Sequence, residues 1–276
     1  MEILPLYVWY GVTEEKDAGI SAYHTHTAHE LLYILEGAVQ MHIAGKTYLL
    51  TPGHLVIIHA VEVHDLVPLT RPYRRYGIHI TPQNLQELLG SSLLSTAITR
   101  HGEDFCHVFD LTSCRTEAEA LLSSLYKEAT QPRPMTGEWM RHRFAELMIL
   151  LYRQRPGAFS ETNPDPLIAA TCRYMDANFR RELTVEELAK MHFFSVPYFI
   201  RRFRKAVGYT PKRYLILRRL AESRVLLCTT SDTVAAVAVQ CGFADANAFV
   251  RTFRKETGIT PGEYRRHYAG QNRGGA

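Results

Sequence analysis

Two sets of residues in this 276-residue chain have types and spacings that could do chemistry. Near the carboxyl end Arg201, Arg204 and Lys205 recur fifty residues later as Arg251, Arg254 and Lys255. A guanidinium can donate two parallel hydrogen bonds to O6 and N7 of guanine, and neighbouring Arg and Lys can neutralise phosphates. The plain alternative is a solvated basic helix face. Near the amino end the order is His-x-His-x3-Glu-x6-Gly, formed by His24, His26, Glu30 and Gly37, followed by Gly53-x10-His64. Imidazole and carboxylate donors with open positions suit Zn, Fe, Mn or Ni. The same groups can instead hydrogen-bond the hydroxyls of a small ligand or one another. Ligand spacing alone fixes no reaction, so no catalytic residue and no enzymatic activity are assigned, and no cofactor is required.

The elements that must position the basic residues form a repeat. Residues 199–214 and 249–264 share nine of sixteen identities at an offset of fifty, so one supersecondary unit occurs twice. Each copy reads as two helices and a tight turn. Thr184 and Glu187 form a Thr-x-x-Glu capping box ahead of Leu188-Ala189, and Ser195 stands ready to cap the helix carrying Phe199 and Phe203. In the second copy Thr233 opens a helix through Val237-Ala238, Cys241-Gly242-Phe243 makes the turn, and Phe249 and Phe253 follow. The Phe pairs lie four residues apart on one face, so Arg201 and Arg251, two residues from each, lie on the other. Gly208 and Gly258, each followed by Thr-Pro, end one helix and restart the next. Pro211 to Leu227 reads as one connecting helix about 25 Å long, suited to placing two readers in major grooves about 34 Å apart.

The last hundred residues resemble the DNA-binding domain of AraC/XylS-type transcription regulators. The matching residues are Phe199-x-Arg201-x-Phe203-Arg204-Lys205 and Gly208-x-Thr210-Pro211-x-x-Tyr214, then Gly242-Phe243, Phe249-x-Arg251-x-Phe253-Arg254-Lys255 and Gly258-x-Thr260-Pro261-x-x-Tyr264. Phe193 departs from the family's usual glycine in the first turn, and Ala236 from a usual Glu in the second unit. The resemblance implies helix-turn-helix units at about 184–205 and 233–255. It further implies that Val196, Pro197, Arg201, Ala246, Asn247 and Arg251 face bases, while Arg204, Lys205, Arg254 and Lys255 meet phosphates. Arg201, Arg251 and Asn247 have the polar reach for direct readout.

In the front half, Glu30–Leu35, Gln40–Ile43, Lys46–Leu50 and Leu55–Ile58 read as strands broken by Glu36-Gly37, Ala44-Gly45 and Thr51-Pro52-Gly53. That spacing predicts a small antiparallel barrel or jelly roll. The histidine string resembles the motifs of cupin barrels, with His59 and Val61 departing from the second motif. By that resemblance His24, His26, Glu30 and His64 would hold a divalent metal. The sensor domain of AraC-type regulators is also cupin-like, and it implies instead a small effector, a sugar among the candidates. Tyr7, Trp9, Tyr10 and Tyr23 lie where an N-terminal arm could close over such a ligand, and Tyr7, Trp9, Tyr23, His24, His26, Glu30 and His64 are the candidate effector residues.

Thr116–Thr130 and Glu138–Arg153 read as amphipathic helices with a core-packing or dimer role. Three prolines between Arg155 and Pro166 mark a linker. The expected architecture is therefore α+β and multidomain. It comprises a cupin-like β-barrel over 1–110, a helical connector over 111–158, a linker at 159–166, and an all-α domain of two helix-turn-helix units over 167–276.

Charge supports that division. From Leu167 onward there are 19 Lys+Arg against 9 Asp+Glu, whereas residues 1–166 carry 13 against 19, and ten of the thirteen histidines precede residue 110. A basic rear half suits double-stranded DNA as partner. No apolar run approaches eighteen residues, which excludes a membrane helix. The amino terminus lacks a basic n-region, and the five cysteines form no Cys-x-x-Cys, so a cytoplasmic protein without a disulfide framework is expected. Family resemblance adds homodimerisation and contact with RNA polymerase.

Overall fold

Among the described residues, alternating and continuous apolar runs become eight strands. They are β1 (Tyr7–Thr13), β2 (His29–Glu36), β3 (Val39–Ile43), β4 (Lys46–Leu50), β5 (His54–Ile58), β6 (His64–Pro68), β7 (Tyr73–Ile80) and β8 (Val108–Asp110). The computed structural model describes residues 4–14, 28–43, 45–90, 92–99, 105–159 and 165–268. The strands form a five-stranded sheet in the order β1-β7-β2-β5-β8 and a three-stranded sheet in the order β4-β3-β6. Every pairing described for β1–β7, β2–β7, β2–β5, β3–β4 and β5–β8 is antiparallel.

The run Leu31-Leu32-Tyr33-Ile34 is continuously apolar because β2 is covered on both faces. Leu32 and Ile34 pack with Val39, Met41, Ile43 and Leu50 of the other sheet. Leu31 and Tyr33 pack outward with the helices that follow. Those helices are α1 (Pro82–Leu89), α2 (Thr96–Thr99), α3 (Arg115–Thr130) and α4 (Thr136–Gln154). Leu121, Leu122 and Leu125 of α3 and Met140, Phe144, Leu147 and Met148 of α4 supply the buried stripe that the 3.6-residue period predicts. Arg115 ties α3 to the sheet by donating to Leu35 O at 3.1 Å and to Glu119 at 2.7 Å.

One expectation needs correction. Tyr7–Thr13 is not a free arm but an edge strand, paired residue by residue with β7 from Tyr7↔His79 to Thr13↔Tyr73. Alternation along Val8-Trp9-Tyr10 sends successive side chains to opposite faces, which suits a half-buried strand.

The chain divides into two compact units, one built mainly on residues up to Pro164 and the other mainly on Asp165 onward. The second contains α5 (Pro166–Asn178), α6 (Val185–Lys190), α7 (Val196–Val207), α8 (Pro211–Thr229), α9 (Val234–Gln240), α10 (Ala246–Thr257) and α11 (Pro261–Tyr268). The segment 159–166, read as linker, gives way to helix at Asp165. Asp165 is the N-cap of α5, accepting from Leu167 N and Ile168 N, with Pro166 at the first helical position.

The connecting helix α8 is apolar on more than one face, because it serves two cores. Tyr214, Leu215 and Leu217 pack with Phe199 and Phe203, while Leu220 and Leu227 pack with Phe249 and Phe253. Two arginines close the helix ends that these cores leave open. Arg219 donates to Phe179 O and Arg181 O, and Arg265 donates to Leu227 O and Asp232 O, satisfying carbonyls near the ends of α5 and α8.

Candidate functional site

In each repeat the second helix is held by its phenylalanines. Phe199, Phe203, Phe249 and Phe253 are fully buried, with ring centroids 5.7 Å apart in α7 and 5.5 Å in α10. At roughly 1.5–3 kcal/mol for each buried large apolar side chain, these contacts fix the rotation of the helix about its axis. The opposite face then projects outward. Pro197, Arg201, Arg204 and Lys205 are exposed on α7, as are Asn247, Arg251, Arg254 and Lys255 on α10. Val196 and Ala246 differ from expectation. Both are half-buried and pack against their respective cores, because the first residue of each helix turns toward the body rather than outward.

The caps are also unequal. Asp245 accepts from Ala248 N at 2.7 Å and Thr184 accepts from Glu187 N at 3.1 Å. Ser195 stands at the N-cap of α7 but its hydroxyl accepts no cap bond. Glu187 does not complete the expected capping box, since Arg181 takes its carboxylate at 2.8 Å. Of the three arginines in α7, Arg202 is drawn inward, donating to Asp165 at 3.0 Å while its guanidinium lies 4.9 Å from the Phe194 ring.

A second set of polar groups lies between the two sheets of the first unit. Residues 73, 75, 77 and 79 of β7 share one face with Trp9, Gly11 and Thr13 of β1 and with Glu30, Leu32 and Ile34 of β2, by register. His79 Nε2 is 3.2 Å from Glu30 Oε1, and its ring lies 5.9 Å from Tyr7 and 6.1 Å from Trp9. The Arg75 guanidinium stands 5.4 Å from the Trp9 ring and 4.6 Å from the Tyr73 ring. Glycine is required at position 77, since a Cβ there would come within 2.1 Å of the Trp9 ring. His64 is buried, with Nδ1 donating to Glu62 O at 3.0 Å. Tyr23, His24 and His26 lie outside the described residues.

The four-residue metal set is therefore not described as a whole. Among the described residues of the first unit, His107 is buried, with Nδ1 donating to Ile57 O at 2.9 Å.

Comparison with known proteins places both halves. A family model described as an AraC-like ligand binding domain matches residues 12–132, and a helix-turn-helix domain model matches residues 188–267. The chain belongs to the AraC family of transcription regulators. It is 27% identical over 250 residues to the HTH-type transcriptional activator RhaS of Enterobacter sp., covering 88% of this chain and 87% of that one. It is 23% identical to the lactose operon transcription activator of Staphylococcus xylosus, covering 87% and 84%. In fold it is similar to ToxT from Vibrio cholerae, with a TM-score of 0.69 at 12% identity over 96% of this chain and 99% of that one.

This AraC-family member is thus an effector-controlled, DNA-binding regulator. No described helix is long and apolar enough to cross a membrane. Sequence reasoning missed three residues beside Trp9: Tyr73, Arg75 and His79. No motif marks them, although alternation along β7 would have put them on one face. It also missed Tyr198, exposed on α7 with its ring 5.6 Å from the Arg201 guanidinium. The three-residue spacing was the available signal.

Proposed function

We propose that α7 and α10 enter successive major grooves of one duplex. Arg201, Arg251 and Asn247 read base edges, while Arg204, Lys205, Arg254 and Lys255 hold phosphates and Pro197 packs close to the backbone. The observation that carries this reading is the matched placement of Arg201 and Arg251, each exposed directly opposite a buried phenylalanine pair. The chain acts as a cytoplasmic homodimer, with α3 and α4 in the dimer contact, and presents its DNA-bound form to RNA polymerase. A small effector, sugars included, sits on the inner sheet face around Trp9, Glu30 and His79 and changes the affinity for DNA.

Selection from a randomised duplex library supplies the operator for the test. Arg251→Ala then costs about 1–3 kcal/mol and relaxes preference at one base pair, whereas Lys255→Ala weakens every sequence alike and lowers the salt slope by about 1. Unchanged base preference in Arg251→Ala would refute the readout. Effector titrations that leave DNA affinity and promoter output unchanged would refute the coupling.

A further inference from the structure

The inner face of the first unit has a surplus of hydrogen-bond donors. Arg75 carries five N–H groups, and among the described residues its one acceptor is Thr13 Oγ1, at 3.0 Å. No carboxylate of a described residue forms an ion pair with it; Glu36 pairs with the neighbouring Arg74, and Glu30 with His79. The guanidinium lies between the rings of Trp9 and Tyr73, which hold it in place without neutralising it.

Both of those rings bring a further donor. Trp9 Nε1 and the hydroxyl of the fully buried Tyr73 have no hydrogen-bond partner. Buried donors left unsatisfied carry a desolvation cost, which a ligand with acceptor oxygens recovers. The surroundings are apolar: Leu32, Ile34, Met41, Ile43, Val56 and Ile58. Glycine at positions 11 and 77 is what lets the Trp9 ring and the Arg75 guanidinium lie flat against β1 and β7.

From this arrangement we infer that the effector is an anion, a small carboxylic acid whose carboxylate binds the Arg75 guanidinium, with Trp9 Nε1 and the Tyr73 hydroxyl as flanking donors. A planar fork of donors matches a carboxylate bidentately, and the apolar inner face takes the rest of the molecule. The inference rests on the proposal that this face is the effector site. A sugar acid and an aliphatic acid share the chemistry, and matched probes separate them.

The Trp139→Phe protein has Trp9 as its sole tryptophan, because the chain has two. Its emission is titrated with hexanoate against hexanamide, and with glucuronate and galacturonate against glucose and galactose, with the thermal midpoint read in parallel. The expected result is that an acid binds and its neutral partner binds at least tenfold more weakly; the responding pair names the source. Arg75→Gln weakens the acid about 10- to 100-fold, Arg75→Lys weakens it less, Tyr73→Phe weakens it severalfold, and Arg74→Gln leaves it unchanged. Should Arg75→Gln fail to fold, Arg75→Lys and Tyr73→Phe carry the test. A neutral sugar or amide that binds as tightly as its acid, or an acid indifferent to Arg75, overturns the anion class while the effector site stands. Silence of all six probes, both at Trp9 and in DNA affinity, overturns the effector site and the anion class together.

Discussion

The two helix-turn-helix units share a backbone path and a buried phenylalanine pair, yet they meet the same steric demand at the turn in different ways. Both turns need a residue in the left-handed region. In the second it is Gly242, with φ of 79°; in the first it is Phe193, with φ of 57°. The turn at Gly242 is also crowded, since an added Cβ would come within 2.5 Å of Arg180 O. Phe193 meets no such wall, and its side chain is 99% exposed. A left-handed phenylalanine costs about 1–2 kcal/mol, which the first unit tolerates because nothing else is packed there. The second unit has one more residue between turn and cap, Ala244, and a charged cap, Asp245. Conformation alone thus decides the residue in one turn, and conformation together with packing decides it in the other.

Substitutions at two glycines separate conformation from packing. Gly242→Ala adds both the left-handed penalty and a clash with backbone, about 3 kcal/mol in urea unfolding. Gly258→Ala, where a Cβ meets nothing within 4 Å, costs about 1 kcal/mol. Equal losses at the two sites would remove crowding as the distinguishing factor.

The next effect is in pH. Asp176 on α5 accepts from the Tyr214 hydroxyl at 3.0 Å, and burial raises its pKa to about 6 although Arg218 opposes the rise. The position fifty residues on is Leu226, so this titration belongs to the first unit alone. A carboxyl whose pKa is higher folded than unfolded contributes stability that is complete below about pH 4 and lost as pH rises through about 6. Stability therefore falls by about 3 kcal/mol across that window, and Asp176→Asn flattens the profile in thermal melts. A slope that persists in the variant would assign it elsewhere.

Capping gives a smaller contrast. Asp245→Ala removes a bond to Ala248 N and costs about 1 kcal/mol, whereas Ser195→Ala, with no cap bond to lose, costs a few tenths. One substitution brings a gain. Phe193→Gly relieves the strained φ but loosens the unfolded chain, for a net stabilisation of about 0.5 kcal/mol. A loss on that substitution would mean that the exposed ring has a partner.

How much could be read from the chain differs between the regions. The repeat, its threonine caps and the outward arginines were legible, because a helix of period 3.6 turns Phe199 and Phe203 inward and Arg201 outward within a single short segment. The Ser195 cap and the Glu187 half of the capping box were not, because those polar bonds depend on neighbours such as Arg181. The half-burial of Val196 and Ala246 was not legible, since position within the first turn depends on how the helix enters its core. In the sensor the strand alternation was legible but the strand order was not. Tyr7–Thr13 reads equally well as an arm or an edge, and only pairing with β7 decides between them.

The amino-acid order alone determined the doubled reading head and its exposed charges, because those depend on residues within four positions of one another. Tertiary structure decided which polar groups share the inner sheet face. Trp9 comes from β1, Glu30 from β2, and Tyr73, Arg75 and His79 from β7, more than forty residues later. Strand pairing at about 4.8 Å brings such distant segments together, and no local periodicity encodes which strands will be neighbours.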